Sequence, residues 1–475
     1  MKSIAKNSFF NILYTVLNLC FPLITSMYVS RVLEPDRIGR VSYVQNVVSY
    51  FVMFAMLGIH NYGLREIANI GQDKTKKNQL FTNLIMINSI STLMTLIIYI
   101  ILITNISSFQ NEFSLYIACG SLIFLNFFNI DWFYQGQEEY VYIVCRNIVI
   151  KCISIIAILF FVKSKDDYVL YAWIVSIGTA GNYLLNIINA RKYIKLDFSN
   201  IKLKKHLESI LIIFAGVFCA SIYAKIDITM LGIMTSEVNV GYYSYAHRII
   251  DLICTIAVSV TAVFLPRLSF CYVNDRAQFE KLLDLGIRAL IFLSIPMSVG
   301  IFLLAPDLII ILYGESFLGA SIVVRIFSIL IIIKSIGNLL CYQLVICTHN
   351  EKERIPAAIL ASVTNIILNI ILIPYLDIAG AAVASVISEF IVNGYQLIKL
   401  RKVINFSVDA KALVQAIIST IGMTLVICIV LIFDLSSIVL VFLSLTFGGL
   451  TYLIMNKLLN NEFEEMLLKK IIKRL

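Results

Sequence analysis

The stretch Ile38-Gly39-Arg40-Val41-Ser42-Tyr43 recurs 202 positions later as Val240-Gly241-Tyr242-Tyr243-Ser244-Tyr245. In the same register Arg65 matches Arg267, and Asp73-Lys74 matches Asp275-Arg276. Both copies lie in strongly apolar sequence, so the repeated unit is predicted to be a bundle of membrane helices. Paired bundles are typical of secondary transporters, which handle their substrate between the repeats. The repeat therefore indicates transport.

Composition supports a membrane protein, because 60% of the 475 residues are hydrophobic and only 14% are charged. Fourteen apolar runs are each long enough, or nearly so, to cross about 30 Å of hydrocarbon. We therefore predict an all-α polytopic protein with about fourteen transmembrane helices, the first retained because its run is too long for a signal peptide. The runs cover residues 8–30, 41–60, 80–104, 113–134, 148–163, 169–190, 209–232, 242–265, 286–304, 320–347, 356–375, 379–398, 411–433 and 436–456.

The distribution of Lys and Arg predicts the orientation of the chain. If the N-terminus is cytoplasmic, most of the 38 basic residues fall in cytoplasmic segments, where such residues are retained. Both termini are then expected on the cytoplasmic side of the membrane. This topology and the anionic lipid headgroups account for the net charge of +9, so nucleic-acid binding is not expected.

The repeat and the basic stretch that divides it predict four regions. Residues 1–190 form an N-terminal six-helix lobe, and residues 191–208 form a cytoplasmic linker. Residues 209–398 form a C-terminal six-helix lobe. Residues 399–475 supply two additional helices and a cytoplasmic amphipathic tail.

Several chemistries lack their motifs. The sequence has no G-x-x-x-x-G-K-[ST] loop for ATP, no C-x-x-C pair and no histidine pair with metal-ligand spacing. The predicted external loops are also short, which argues against a membrane enzyme of polysaccharide assembly. We therefore expect no enzyme activity, no cofactor and no metal, and transport driven by a proton or sodium gradient or by the gradient of the substrate.

Charged side chains inside predicted spans are the candidate functional residues. Such a group costs about 2.5–3.5 kcal/mol at the centre of a helix, so a cavity or a partner is expected to receive it. A cationic set suits an anionic diphosphate, and the carboxylates would adjust that set or carry coupling ions. The candidates for substrate binding are Lys225, Arg248 and Lys334, with the polar residues Gln45 and Asn46 at the repeat positions of His247 and Arg248, and the candidates for ion coupling are Asp227, Asp251 and Glu389.

Helical spacing separates these candidates. At about 100° per residue, Lys225 and Asp227 point about 200° apart and are not expected to neutralise each other. Arg248 and Asp251 share a face, so a self-compensating pair that only joins helices is the alternative to a binding role. We expect Arg325 to extend to the headgroups, whereas Lys334 lies too deep for this. For Glu389 a structural role is the alternative to ion coupling.

The chain contains a series of short motifs in a fixed order. They are Arg31-Val32-Leu33-Glu34-Pro35 with Gly39, Gly63-Leu64-Arg65-Glu66, Asp131-Trp132-Phe133-Tyr134-Gln135-Gly136 with Glu138, Asp227 with Met230-Leu231-Gly232, Val240-Gly241-Tyr242-Tyr243 and Phe264-Leu265-Pro266-Arg267. In this order and spacing the series resembles the Wzx-type oligosaccharide flippases of the multidrug, oligosaccharidyl-lipid and polysaccharide exporter superfamily. The resemblance covers about residues 1–455. One departure is Glu34, where the family usually has Gly before Pro, so the turn is expected to differ there.

The resemblance implies two six-helix lobes arranged in a V, with two extra helices, that work by alternating access. It implies a substrate made of an oligosaccharide repeat unit on a polyprenyl diphosphate, destined for O-antigen, capsule or exopolysaccharide. Membrane lipids and other polysaccharide-assembly proteins are the expected partners. A drug or cation antiporter of the same fold is the first alternative, and a membrane enzyme of polysaccharide assembly is the second.

Overall fold

A computed structural model describes most of the chain. The described residues are 4–71, 73–262, 264–348, 350–401, 404, 409–433, 435–461 and 463–464. The predicted amphipathic tail lies mostly outside the described residues.

All regular secondary structure in this part of the chain is helical, which confirms the predicted all-α class. The helices in the first half of the chain are α1 (Ile4–Met56), α2 (Ile59–Ile70), α3 (Lys74–Asn105), α4 (Ser107–Gln110), α5 (Phe113–Leu125), α6 (Asp131–Gly136), α7 (Tyr140–Phe161), α8 (Tyr168–Ala190) and α9 (Leu203–Met234). Those in the second half are α10 (Glu237–Ala262), α11 (Phe264–Asn274), α12 (Arg276–Tyr313), α13 (Ser321–Gly337), α14 (Leu344–Cys347), α15 (Arg354–Leu400), α16 (Ala410–Ile432), α17 (Ser437–Leu443) and α18 (Gly449–Leu458).

Helix length and composition do not confirm the predicted number of fourteen membrane-crossing helices. Within the described residues, ten helices are long and apolar enough to cross a membrane, or eleven if the bent pair α10 and α11 forms one span. Two long helices each hold two of the predicted spans and contain a sharp break, at Glu34 in α1 and at Asp377 in α15. The protein is a multi-pass membrane protein, and a count of fourteen stays a prediction.

The chain packs into two compact units. The first contains Met1–Gly232 and Ser236–Gly241, and the second contains Ile233–Thr235 and Tyr242–Leu475. Helix α9 therefore packs with the first unit, although the predicted lobes divide before it, at residues 191–208. Those lobe boundaries follow the repeat rather than the packing, and they stay a prediction.

The sequence repeat reappears in matching local structure within each unit. Helix α3 begins at a cap formed by Asp73, whose carboxylate accepts the backbone N–H of Lys76 at 3.0 Å. Helix α12 begins at Asp275, whose carboxylate accepts the N–H of Gln278 at 3.0 Å. The two caps are 202 positions apart, as are their donors. Carboxylate caps satisfy N–H groups that a helix start leaves unpaired, so both copies use the same start signal.

The repeated glycines mark a close approach of two backbone segments in the first unit. A Cβ on Gly39 would lie 1.7 Å from the backbone oxygen of Glu237, and a Cβ on Gly241 would lie 2.2 Å from that of Pro35. Pro35 and Glu237 are also 202 positions apart, so the repeat relates the two contacts. These glycines are required by backbone contact, because any side chain would force the segments apart.

An aromatic core lies where α2, α3 and α6 meet in the first unit. Trp132 is buried, and its ring lies 5.8 Å from that of Phe81. A Cβ on Gly63 would lie 2.5 Å from the indole of Trp132. The Gly and Trp of two separate motifs therefore form one contact, which explains why both residue types occur there.

The helices beyond the repeat pack on the second unit. Buried residues of α16 and α18, including Met423 and Tyr452, form a core with Phe292 of α12. The hydroxyl of Tyr452 donates to the carbonyl oxygen of Phe292 at 2.7 Å. The two extra helices predicted from the sequence are thus attached along α12.

The break in α1 predicts a stabilising substitution. Glu34 has φ 65° and ψ 165°, a region populated essentially only by Gly, and a residue held there costs about 1–3 kcal/mol. The Glu34 side chain is exposed. Glu34→Gly is therefore expected to raise the midpoint of thermal unfolding of the detergent-purified protein. Glu34→Ala is the control and should give no such gain, since alanine keeps the Cβ; equal gains would assign the effect to lost charge.

Candidate functional site: charged clusters in the membrane spans

The first cluster lies within the first unit, where α9 faces the second half of α1. The Lys225 amine donates to the Ser49 hydroxyl at 2.8 Å. The Asn46 amide donates to the carbonyl oxygen of Lys225 at 3.1 Å and to the Thr229 hydroxyl at 2.8 Å. The hydroxyls of Tyr50 and Thr229 are 3.1 Å apart. A lysine in a span is thus surrounded by neutral hydrogen-bonding groups.

Helical periodicity creates this cluster. Asn46, Ser49 and Tyr50 are spaced i, i+3 and i+4 on α1, and Lys225 and Thr229 are spaced i and i+4 on α9, so each set shares one face. The structure therefore brings together the predicted candidates Asn46 and Lys225. It adds three residues that the sequence analysis missed because it selected charged groups and ignored hydroxyls one turn away.

Two other candidates lie on the same helices. Gln45 is half-buried and precedes Asn46 by one residue, about 100° round α1, and it takes no part in the bonds just described. Asp227 is buried, with 7% exposure. It lies two residues after Lys225, about 200° round α9, and the expectation that the two groups do not neutralise each other stays a prediction.

The second cluster lies within the second unit, where α13 meets α10. The Lys334 amine is 3.2 Å from one carboxylate oxygen of Asp251, and His247 Nδ1 is 2.8 Å from the other. Their side chains keep 28%, 43% and 35% exposure respectively. These three side chains are therefore partly exposed and are not enclosed in the packed interior of the unit. Glu389 of α15 is half-buried and within electrostatic reach of Lys334.

The pairing of Asp251 differs from the sequence interpretation, in which Arg248 was its neighbour on the helix. The ion pair of Asp251 is with Lys334, which comes from a different helix. The Arg248 guanidinium lies 4.9 Å from the centre of the Tyr245 ring. Spacing within one helix identified a shared face, but it could not show that α13 delivers an amine to that face.

Tyr245 gives Arg248 a fixed support. Its buried ring lies 4.6 Å from the ring of Tyr313 and 4.9 Å from that of Phe317. Cations are attracted to the faces of such rings. Arg325 is exposed, and its guanidinium lies 5.9 Å from the ring of Phe302. The two arginines are thus similar in packing, although Arg248 is half-buried and Arg325 is open to the surroundings.

A buried ion pair in the first unit escaped the sequence analysis. Arg146 of α7 is 3.2 Å from Asp131 of α6, with 3% and 17% side-chain exposure, and both bond the amide of Asn186 in α8. Asp131 lies inside the predicted span 113–134, so the rule for charges in spans would have selected it. Arg146 precedes the predicted span 148–163, although α7 begins at Tyr140. Since the pair is enclosed and joins three helices, its role is structural.

Among the described residues, no group of three or more His, Cys, Asp or Glu side chains is placed to hold a metal ion. The clusters therefore offer ammonium, guanidinium, carboxylate and hydroxyl groups in the membrane spans. Such groups suit an anionic or strongly hydrated substrate, because they replace hydrogen bonds that the substrate loses on leaving water.

Comparisons with solved structures show the fold. The structure described as lipid II flippase MurJ in an inward closed conformation matches with a TM-score of 0.78 at 18% identity, over 96% of this chain and 99% of that one. An inward-facing multidrug resistance transporter of the MATE family, in the MOP superfamily, matches with a TM-score of 0.63 at 14% identity, over 80% and 93% of the two chains.

Sequence comparisons show the family. A protein of Escherichia coli strain K12, named as an O-antigen transporter, is 24% identical over 397 residues, which cover 81% of this chain and 93% of that protein. The family described as polysaccharide biosynthesis protein matches residues 4–271, more than half of the chain. These findings confirm the resemblance predicted from the motifs, and the chain belongs to the polysaccharide biosynthesis protein family.

Proposed function

We propose that this protein is a flippase that carries polyprenyl-diphosphate-linked oligosaccharide repeat units across the cytoplasmic membrane by alternating access, for assembly of a surface polysaccharide. The observation that carries the proposal is the partly exposed Lys334–Asp251 pair on membrane-spanning helices. Holding such charges in spans is unfavourable, so their retention supports a functional use. The O-antigen transporter and the lipid II flippase are similar proteins whose names specify lipid-linked or surface glycans, which supports this substrate class.

Lys225, Lys334 and Arg248 are each proposed to be able to bind the diphosphate. Lys225 in the first unit is held by a neutral hydroxyl, so its charge stays available to an anion. Lys334 and Arg248 in the second unit are anchored by a carboxylate and by an aromatic ring. Gln45 would supply a neutral hydrogen bond to phosphate or to a sugar hydroxyl. The amide N–H groups of Asn46 are donated to Lys225 and Thr229, so its carbonyl oxygen would accept from a sugar hydroxyl. The nature of the sugars does not follow from these groups.

Movement of lipid-linked repeat units between the two leaflets of liposomes would test the proposal. Purified protein is reconstituted with a fluorescent polyprenyl-diphosphate oligosaccharide, and an impermeant reagent then destroys the fluorophores on the outer leaflet. We expect fluorescence to fall beyond the level seen in protein-free liposomes, because internal lipid is carried outward. Movement of ethidium without movement of the lipid would favour a cation antiporter. Lengthening of the sugar chain would favour an enzyme.

Energy coupling is proposed to run on a proton or sodium gradient, or on the gradient of the substrate itself, because the sequence contains no nucleotide-binding loop. The proposed ion-linked groups are Asp227, Asp251 and Glu389. We further propose that both termini are cytoplasmic in a bacterial inner membrane, as the positions of Lys and Arg predict.

Asp227→Asn is expected to slow gradient-driven transport more than Asp251→Asn does. The Asp251 carboxylate already contacts the Lys334 amine and His247 Nδ1, so a coupling cation would have to displace the Lys334 amine from it. Asp227 follows Lys225, whose amine is bonded to Ser49. The measurement is the initial rate of lipid translocation in liposomes under an imposed proton or sodium gradient. The reverse order of effects would assign ion coupling to Asp251.

A further inference from the structure

An apolar groove opens on the first unit, away from the polar cluster of α1 and α9. Its volume is about 530 Å³. Of its two hydroxyl-bearing residues, Ser91 donates to the carbonyl oxygen of Ala55 and Thr95 is buried, so the groove presents hydrocarbon. It is lined by Phe51, Phe54 and Leu57, by Ile87, Ile90, Ser91, Met94, Thr95 and Ile98 of α3, and by Leu203 and Leu207 of α9.

The groove runs along α3. From Ile87 to Ile98 it extends roughly 16 Å at 1.5 Å per residue, about half the thickness of a bilayer's hydrocarbon core. Met94 is 60% exposed and Ile98 is 53% exposed, so the groove is open along its length to the surrounding lipid. Its shape and lining suit one extended hydrocarbon chain.

The end of the groove at α9 is cationic. Leu203 and Leu207 are interleaved with the exposed residues Lys202, Lys204 and Lys205. This segment lies at the predicted cytoplasmic surface, where lysines attract anionic headgroups at about 1 kcal/mol per residue. An apolar groove that ends at a basic rim is complementary to a lipid with a long chain and a phosphate head.

Backbone hydrogen bonds hold this rim against α3. The backbone N–H groups of Lys195 and Lys202 donate to the side-chain oxygens of Asn78 and Asn83, at 3.1 and 2.8 Å. The N–H of Asp197 donates to the hydroxyl of Thr82 at 2.8 Å. The basic rim and the apolar groove are therefore parts of one fixed surface.

We infer that this groove binds the polyprenyl chain of the lipid-linked substrate at the inner leaflet, with the phosphate at Lys202 and Lys204. The inference rests on the proposed function and adds a docking place to it. Phe51 and Phe54 lie on the same helix as Asn46 and Ser49, so a docked chain lies beside the helix that carries part of the first polar cluster. An ordinary phospholipid is the alternative occupant, because it also has apolar chains and a phosphate head.

Photolabelling would test the inference. The full-length protein in nanodiscs is irradiated with a polyprenyl phosphate that carries a diazirine in its chain, and labelled peptides are mapped by mass spectrometry. We expect label on residues 87–98 and 203–207. Excess unlabelled polyprenyl phosphate should remove it at least tenfold more effectively than phosphatidylglycerol. Equal competition by the two lipids would show ordinary boundary lipid and would overturn the inference.

A matched pair of variants sharpens the test. Met94→Trp fills the groove, whereas Leu93→Trp adds the same bulk at a neighbouring position that is also exposed, at 52%, but does not line the groove. Labelling is expected to fall at least fivefold in Met94→Trp and to stay near normal in Leu93→Trp. Equal labelling in the two variants would also overturn the inference.

Lys204→Gln tests the basic rim, and Lys192→Gln is its control, since both lysines are exposed. Lys204→Gln should weaken labelling severalfold more than the control does, and an equal effect would remove the rim from the site.

Lipid translocation measured on the same samples separates the two proposals. If Met94→Trp translocates lipid normally but its groove is not labelled, then the result agrees with the flippase function and the groove has no role in it. Groove labelling of a wild-type protein that translocates no lipid would contradict the proposed function instead.

Discussion

Replacing Lys334 with methionine is expected to reduce export of the lipid-linked oligosaccharide at least tenfold while the protein stays at normal abundance in the membrane. Its amine is 3.2 Å from Asp251 and its side chain is 28% exposed, so the charge is anchored and still open to a substrate. Loss of one partner from a desolvated phosphate contact typically costs about 2–5 kcal/mol. Methionine keeps a long apolar stem and removes the charge. Membrane abundance and surface polysaccharide are measured together.

A structural role for Lys334 makes a different prediction. If its function is only to neutralise Asp251, then Lys334→Met combined with Asp251→Asn should restore export to the level of Asp251→Asn alone, because both charges are gone. We expect the double variant to export far less than Asp251→Asn alone, since the diphosphate still lacks its cation. Lys334→Arg keeps the charge and should retain a substantial part of the export. Recovery in the double variant would reassign Lys334 to the stability of the helix pair.

The sequence contained enough information for the fold class, because the signals that specify it are local and repeated. Apolar length predicted the membrane helices, and the register of 202 positions aligned Asp73 with Asp275, which the structure shows to be equivalent helix caps. The number of spans was harder to predict. Helix continuity depends on single residues such as Glu34 and Asp377, and hydropathy averaged over about twenty residues does not resolve them.

The candidate site was predicted less completely, because partners come from different helices. Spacing along α10 could associate Asp251 with Arg248, but only packing places Lys334 of α13 beside Asp251. Ser49 and Thr229 were missed because hydroxyl groups in apolar sequence give no signal until a lysine is packed against them. The substrate-facing role of each of these residues stays a prediction.

The motif residues and the candidate binding residues of the second unit are subject to different physical constraints. Gly63 and Trp132 pack together, while Asp131 joins Arg146 across helices. These motif residues have packing partners in the structure, whereas Lys334 and Arg248 lie outside the motifs. The motifs therefore identify the fold better than they identify the sugar.

Arg248→Ala is expected to lower export at least tenfold with little change in membrane abundance. The guanidinium lies 4.9 Å from the centre of the Tyr245 ring, which is itself fixed by Tyr313 and Phe317, so the charge is positioned without a need for Asp251. Arginine forms paired hydrogen bonds with phosphate oxygens, and lysine offers the same charge without that geometry. Arg248→Lys should therefore give an intermediate export, which a surface polysaccharide assay on cells of matched protein abundance can resolve.

Arg325→Ala is the matched control for Arg248→Ala. Arg325 is also an arginine on a membrane helix of the second unit and lies 5.9 Å from the ring of Phe302, but it is exposed and expected to reach the headgroups. Its loss should leave export within about twofold of normal, because an exposed cation in a polar environment contributes little. Equal losses in the two variants would mean that arginine on an aromatic ring serves to hold these helices in the membrane. Full export by an abundant Arg248→Ala protein would remove Arg248 from the substrate site and leave Lys334 as the principal cation of the second unit.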